Sequence, residues 1–192
     1  PIDEVGGFAL NIGGSQQVSG LGIVEAGMFF SPFAKVWKNP YLTGVRREKT
    51  ETSKFGARIA LNRIMGSGLR VNAVFMVDEV DDDEIGSLIP DLARDGSVFA
   101  VNMNYSFYLS EMFELRPRIG VRVGDYDGDS NSFIKYKAEL EARYRVGRLM
   151  VIPRVFYSHS DYDEVHPLFG VTRENDGYGA RIMLNQMAPF GW

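Results

Sequence analysis

Cysteine is absent from the 192 residues, which excludes disulfides, thiolate nucleophiles and cysteine-bound metal. Two histidines are too few for a multi-histidine metal centre. Positive charge is not in surplus: 21 Lys and Arg stand against 25 Asp and Glu, leaving a net charge of -4. Nucleic-acid binders ordinarily carry a basic excess, so no nucleic-acid partner is expected. No uninterrupted apolar run approaches the roughly 18 residues that a transmembrane helix needs. No signal-peptide pattern opens the chain, and Pro1-Ile2-Asp3 reads as a mature start or an internal boundary. No cofactor is expected.

What the chain does have is 45% hydrophobic and 12% aromatic residues, enough to exclude disorder. They recur with period two. Phe55, Ala57, Ile59 and Leu61 alternate with Gly56, Arg58, Ala60 and Asn62. After Gly66-Ser67-Gly68, the row Leu69, Val71, Ala73, Phe75 and Val77 alternates with Arg70, Asn72, Val74, Met76 and Asp78. Similar rows run from Val98 to Leu109, from Leu115 to Gly124, from Val151 to Tyr157 and from Tyr178 to Asn185. The clearest case sets Ile134, Tyr136, Ala138, Leu140, Ala142, Tyr144 and Val146 against Lys135, Lys137, Glu139, Glu141, Arg143 and Arg145. At 100° per residue these charges would scatter around a helix; at 180° they share one face of a strand. Phe8–Ile12 and Leu21–Phe30 are weaker, glycine-rich strand candidates.

Strand length separates two all-β solutions. Several segments run 10 to 13 residues, against a soluble mode of about 5–6, and a tilted membrane strand needs about 9–11. Connections at 66–68, 110–113 and 147–148 are short. Those at 38–54, 78–96, 125–132 and 158–177 read as long and polar. Short turns at one end and long loops at the other are the pattern of outer-membrane barrels. Aromatics near strand ends, among them Tyr105, Phe113, Tyr126, Phe133, Tyr144, Tyr157, Tyr178 and Trp192, fit interface girdles. The competing solution is a soluble sandwich or lipocalin-like barrel, in which the apolar row faces inward. Length and loop asymmetry favour an antiparallel transmembrane β-barrel of the bacterial outer membrane. About 8–10 strands are visible, with more to come if the chain is a fragment. Residues 1–18 form a lead or a first weak strand, and 19–192 the barrel.

The chain carries a duplication. Phe55-Gly56-Ala57-Arg58-Ile59-Ala60-Leu61-Asn62 matches Tyr178-Gly179-Ala180-Arg181-Ile182-Met183-Leu184-Asn185. Upstream, Asn39-Pro40-Tyr41-Leu42 and Gly44-Val45-Arg46-Arg47-Glu48 echo His166-Pro167-Leu168-Phe169 and Gly170-Val171-Thr172-Arg173-Glu174. The segment from His166 to Tyr178 resembles a loop of the porin-like C-terminal barrels of the surface lipoprotein assembly modifier family. It departs from that pattern at Glu174-Asn175-Asp176, and no tetratricopeptide-like helical region precedes it. The resemblance implies an outer-membrane barrel; the barrel of a secretion or assembly machine with a protein partner stands as an alternative function.

Four groups of residues carry candidate chemistry. Arg58, Arg70, Arg116, Arg118, Arg122, Lys135, Lys137, Glu139, Glu141, Arg143, Arg145, Arg154 and Arg181 would line the lumen. They would act there as a charged pore wall or as an ion-pair network that fills a narrow interior. Asp78, Glu79, Asp81, Asp82, Asp83 and Glu84 form an acidic surface loop. It is either solvated or holds divalent cations beside outer-membrane lipid and lipopolysaccharide. Asp125–Asn131 hints at a calcium loop but has glycine at the fourth rather than the sixth position, so a turn is expected. Ser158-His159-Ser160-Asp161 offers the groups of an outer-membrane lipid-modifying enzyme using His159. Adjacent strand residues point to opposite faces, however, and no G-x-S-x-G motif is present.

Overall fold

The computed structural model describes residues 10–38, 49–80 and 84–186. The upstream echo of the duplication at 39–48, Asp81, Asp82, Asp83 and the terminal Trp192 lie outside them.

Period-two sequence produces strands throughout. These are β1 (Leu10–Val18), β2 (Gly22–Lys38), β3 (Lys49–Asn62), β4 (Leu69–Val80), β5 (Gly96–Tyr105), β6 (Phe107–Tyr108), β7 (Phe113–Tyr126), β8 (Phe133–Val146), β9 (Leu149–Val165) and β10 (Thr172–Gln186). A five-residue helix α1 (Glu84–Leu88) lies between β4 and β5. All strands join one antiparallel sheet in the order β1-β2-β3-β4-β5-β7-β8-β9-β10, with β6 also paired to β7. Successive long strands thus pair with each other, as a meander of hairpins requires, and the short β6 adds to the β5 side of β7. β1 and β10 are the sheet's two edges. No described helix is long and apolar enough to cross a membrane.

The strands are longer than the alternation alone predicts. β9 continues to Val165 and β10 begins at Thr172, so the loop expected over 158–177 shrinks to 166–171. β3 likewise begins at Lys49, inside the loop expected over 38–54. Asp78 and Glu79 belong to β4, not to a loop. In these stretches both faces are polar, so the alternation vanishes while the backbone ladder continues. β1 pairs with β2 at every position from Leu10 to Val18, so the last nine residues of the expected lead are a full strand.

The sheet is polar within and apolar without. Only Ala60, Leu92, Val98 and Ile152 are buried apolar residues among those described, whereas Glu139, Glu141, Ser158 and Ser160 are enclosed. Glu139 is 5% exposed and Glu141 1%, while Ile59, Val155 and Ile182 are 55%, 53% and 68% exposed. Among the described residues no second layer of secondary structure packs on the polar face; Glu139 and Glu141 are enclosed by the side chains of β7, β8 and β9 that pair with them. The soluble alternative, with its apolar row inward, is the reverse of this arrangement.

Candidate functional site

Register puts all thirteen predicted lumen residues on the same face. Arg58 pairs with Val74, Val74 with Ala100, Ala100 with Arg122, and Arg122 with Lys135. One row along, Arg70 faces Asn104, Asn104 faces Arg118, and Arg118 faces Glu139. Arg116 faces Glu141, which faces Arg154, which faces Arg181. Lys137 pairs with Gly120, Arg143 with Glu114, and Arg145 with Met150. Cross-strand partners share a face, so a single polar row in β8 orders its neighbours on both sides.

Seven of these thirteen residues form one ion-pair network. Glu141 accepts hydrogen bonds from Arg143 Nε at 2.8 Å and from Arg154 through both Nε and Nη2, and Arg116 Nη1 lies 4.0 Å away. Glu139 stands 3.1 Å from Arg118, 2.9 Å from Lys137 and 3.4 Å from Arg154. None of these contacts to Glu139 is aligned as a hydrogen bond, so its carboxylate is held by charge alone. Glu114 closes the network, 2.6 Å from Arg116 and 3.9 Å from Arg143. Five cations therefore share three carboxylates.

The other predicted lumen residues stand apart from it. Arg70 lies 3.3 Å from Glu25, with both side chains largely exposed. Arg122 stacks its guanidinium 5.7 Å from the Phe133 ring. Arg58, Arg145 and Arg181 are exposed and Lys135 half-buried.

One cavity opens on the polar face at one end of the sheet, and a second lies at the opposite end of the strands. The larger, about 1270 Å³, lies at the short-turn end between the β1–β2, β3–β4 and β5–β7 connections. Arg63, Arg70, Arg116 and Arg118 line it together with Asn62, Asn72, Asn102 and Asn104. The smaller, about 630 Å³, lies at the other end and is lined by Asp78, Glu79, Asp95, Asp125 and Asp127. Asp78 is buried and paired with Lys54 Nζ at 2.7 Å, and Tyr126 donates to it at 3.3 Å. Burial, then the Asp78 charge, pushes the Tyr126 hydroxyl up to about 12. No group of three or more His, Asp or Glu among the described residues is arranged to hold a metal ion.

A family model described as a protein of unknown function (DUF2860) matches residues 3–192. The chain belongs to the DUF2860 family. No curated protein matches it.

In this DUF2860 chain the apolar band on the outer face ends at Tyr157 in β9 and at Tyr178 in β10, which pair directly. Beyond that edge, His159 faces Asp176 across the two strands. His159 Nδ1 is 2.9 Å from Asp176, and Nε2 is 2.8 Å from Asp161. Tyr157 donates to the same Asp176 oxygen at 2.7 Å. Only the imidazolium can donate to both carboxylates. The Asp176 contact, seconded by the Asp161 charge, therefore raises the His159 pKa, and Tyr157 and His159 lower that of Asp176. Ser158 and Ser160 are buried on the opposite face, so no Ser–His dyad is assembled.

The loops between the long strands lock together, a feature the sequence gives no motif for. The expected turn at 125–132 forms a single 3-10 turn, Asp129–Asn131. Ser130 donates to the Asp91 carbonyl, and Asn131 Nδ2 to those of Leu92 and Ala93, each at 2.9 Å. Arg173 of β10 donates to the Ser130 carbonyl and to Asn131 Oδ1, and its guanidinium lies 4.1 Å from the Tyr162 ring. In the loop 166–171, His166 is fully buried against Phe169, at 4.7 Å between ring centroids. Burial and the Arg173 charge lower the His166 pKa.

Proposed function

We propose that this family member is a porin-like β-barrel of the bacterial outer membrane, with a charged, water-accessible interior and an apolar outer belt. One observation carries the reading: charged side chains are enclosed and apolar ones are exposed. In water that arrangement forfeits the hydrophobic driving force, because the apolar row of nearly every strand stays wet. In lipid the same row is solvated and the polar face is sheltered. A continuous exposed apolar surface of this extent is otherwise found at binding or membrane contacts. The paired tyrosines at the edge of the belt, followed outward by His159 and Asp176, fit an interfacial girdle. Unpaired strand edges are not tolerated in hydrocarbon, so the reading requires β1 and β10 to be covered, by each other or by further strands.

Planar-bilayer recording of the detergent-purified chain tests it. Stable single-channel current that changes on Arg118→Glu supports a pore. Silence from a heat-modifiable, β-rich protein contradicts it and favours a second reading, a closed scaffold filled by side chains. The Glu139–Glu141 network is the observation behind that alternative.

A further inference from the structure

We infer that the cavity at the short-turn end is an anion-accepting vestibule that takes small solutes carrying two or more negative charges, such as phosphorylated or polycarboxylate molecules. This deepens the porin-like reading, on which it rests for passage but not for binding.

Four arginines and four asparagines line the cavity, and no aspartate or glutamate does. The guanidinium fork matches phosphate and carboxylate oxygens, and the asparagine amides add neutral donors that need no counter-charge. The arginines are only partly neutralised. Arg116 and Arg118 share Glu114, Glu139 and Glu141 with three further cations, so the wall keeps a surplus of positive charge. Arg70 is held by an exposed, solvent-screened pair with Glu25, a weak contact easily exchanged for a ligand. Deeper along the face, no carboxylate among the described residues lies within 4.0 Å of Arg58, Arg122 or Lys135. The chain as a whole is acidic, at -4, and five of its carboxylates, Asp78, Glu79, Asp95, Asp125 and Asp127, line the cavity at the opposite end. The basic lining is therefore local to one end. At about 1270 Å³ the space exceeds that of most small metabolites, so the fit is one of charge rather than of shape.

The test is calorimetric titration of the intact, detergent-solubilised chain with inorganic pyrophosphate as the polyanion probe. Saturable binding is expected, weakened at least tenfold by the double change Arg63→Gln and Arg70→Gln. Both residues lie outside the Glu139–Glu141 network, and heat-modifiable migration checks that the variant still folds. Lys54→Gln, at the opposite end, is expected to bind as the parent does. Absence of binding, or binding that the double variant leaves unchanged, overturns the inference. In bilayers, pyrophosphate added from the short-turn side is expected to block current in the parent and not in the double variant. If no current flows but the arginine-dependent binding persists, the porin-like reading fails and the anion site stands.

Discussion

Glu141 and Arg154 meet across β8 and β9 on the enclosed face, while their chain neighbours Leu140 and Val155 pair across the same two strands and face outward. This pair of pairs contains the whole architecture: a one-residue step exchanges an ion pair for an apolar contact. Register is correspondingly strict, because a slip by one position would put both charges on the outside.

Glu141→Leu is therefore expected to destabilise the chain by about 2–3 kcal/mol, less than the roughly 3–5 kcal/mol of a fully buried pair, since Arg143 and Arg154 remain partly hydrated. Urea unfolding in lipid vesicles measures it. The simultaneous change of Glu141 and Arg154 to Leu and Met should recover part of the loss. A double variant worse than the single one would contradict the pairing.

Val155→Arg and Ile182→Arg test the outer belt. At exposed positions of a soluble protein, such changes alter stability by less than about 0.5 kcal/mol. On a lipid face near mid-depth, an arginine costs about 2–4 kcal/mol. Failure to insert into vesicles, scored by protease resistance, is the expected outcome. Normal assembly of both variants would contradict a membrane belt.

Gly179→Val is expected to destabilise by about 1–3 kcal/mol, because a Cβ there would stand 2.8 Å from the Phe156 ring that lies over the glycine. Gly56 likewise lies under the Phe29 ring, 2.7 Å from where its Cβ would stand, and is crowded more closely still by the Phe75 carbonyl oxygen. The duplication thus extends to the preceding strand: Phe29-Phe30-Ser31 in β2 corresponds to Phe156-Tyr157-Ser158 in β9. Pairing Gly179→Val with Phe156→Ala should relieve most of the clash, as differential unfolding would register.

The His159–Asp176 contact makes local stability depend on pH. His159 has a raised folded pKa, so its contribution is complete below about 6.5 and is lost as pH rises through the folded value. Asp176 has a lowered pKa, so its contribution is present above the ordinary carboxylate range and is lost as pH falls through the folded value. Amide exchange at the β9–β10 end should be slowest between these limits. Asp176→Asn should move the His159 titration, followed by NMR, downward. An unchanged titration would remove Asp176 as its cause.

The sheet and the charged face were legible in the sequence because period two survives wherever one side meets apolar surroundings. The sixfold alternation of charge from Lys135 to Arg145 placed β8, and register carried its neighbours. Beyond the outer belt the signal failed: Ser158 to Val165 is polar on both faces, and only backbone pairing keeps it a strand. β1 is weak in the sequence because Gly13, Gly14, Gln16 and Gln17 have little intrinsic strand preference, and pairing with β2 holds it as a strand. The alternation from Val98 to Leu109 predicts one strand. The chain breaks at Ser106, whose amide donates to the Gly68 carbonyl at 3.0 Å instead. The Arg173–Ser130–Asn131 staple had no local signature, because its members lie more than forty residues apart.

Because cysteine is absent, single cysteines test the central claim cleanly. The decisive measurement is quenching by brominated lipid acyl chains of a fluorophore attached at position 155, 156 or 182 in the vesicle-reconstituted chain. Strong quenching at 155 and 182 with little at 156, which faces the enclosed side, is the predicted result. Equal and weak quenching at all three positions would contradict an apolar belt in lipid around a charged interior.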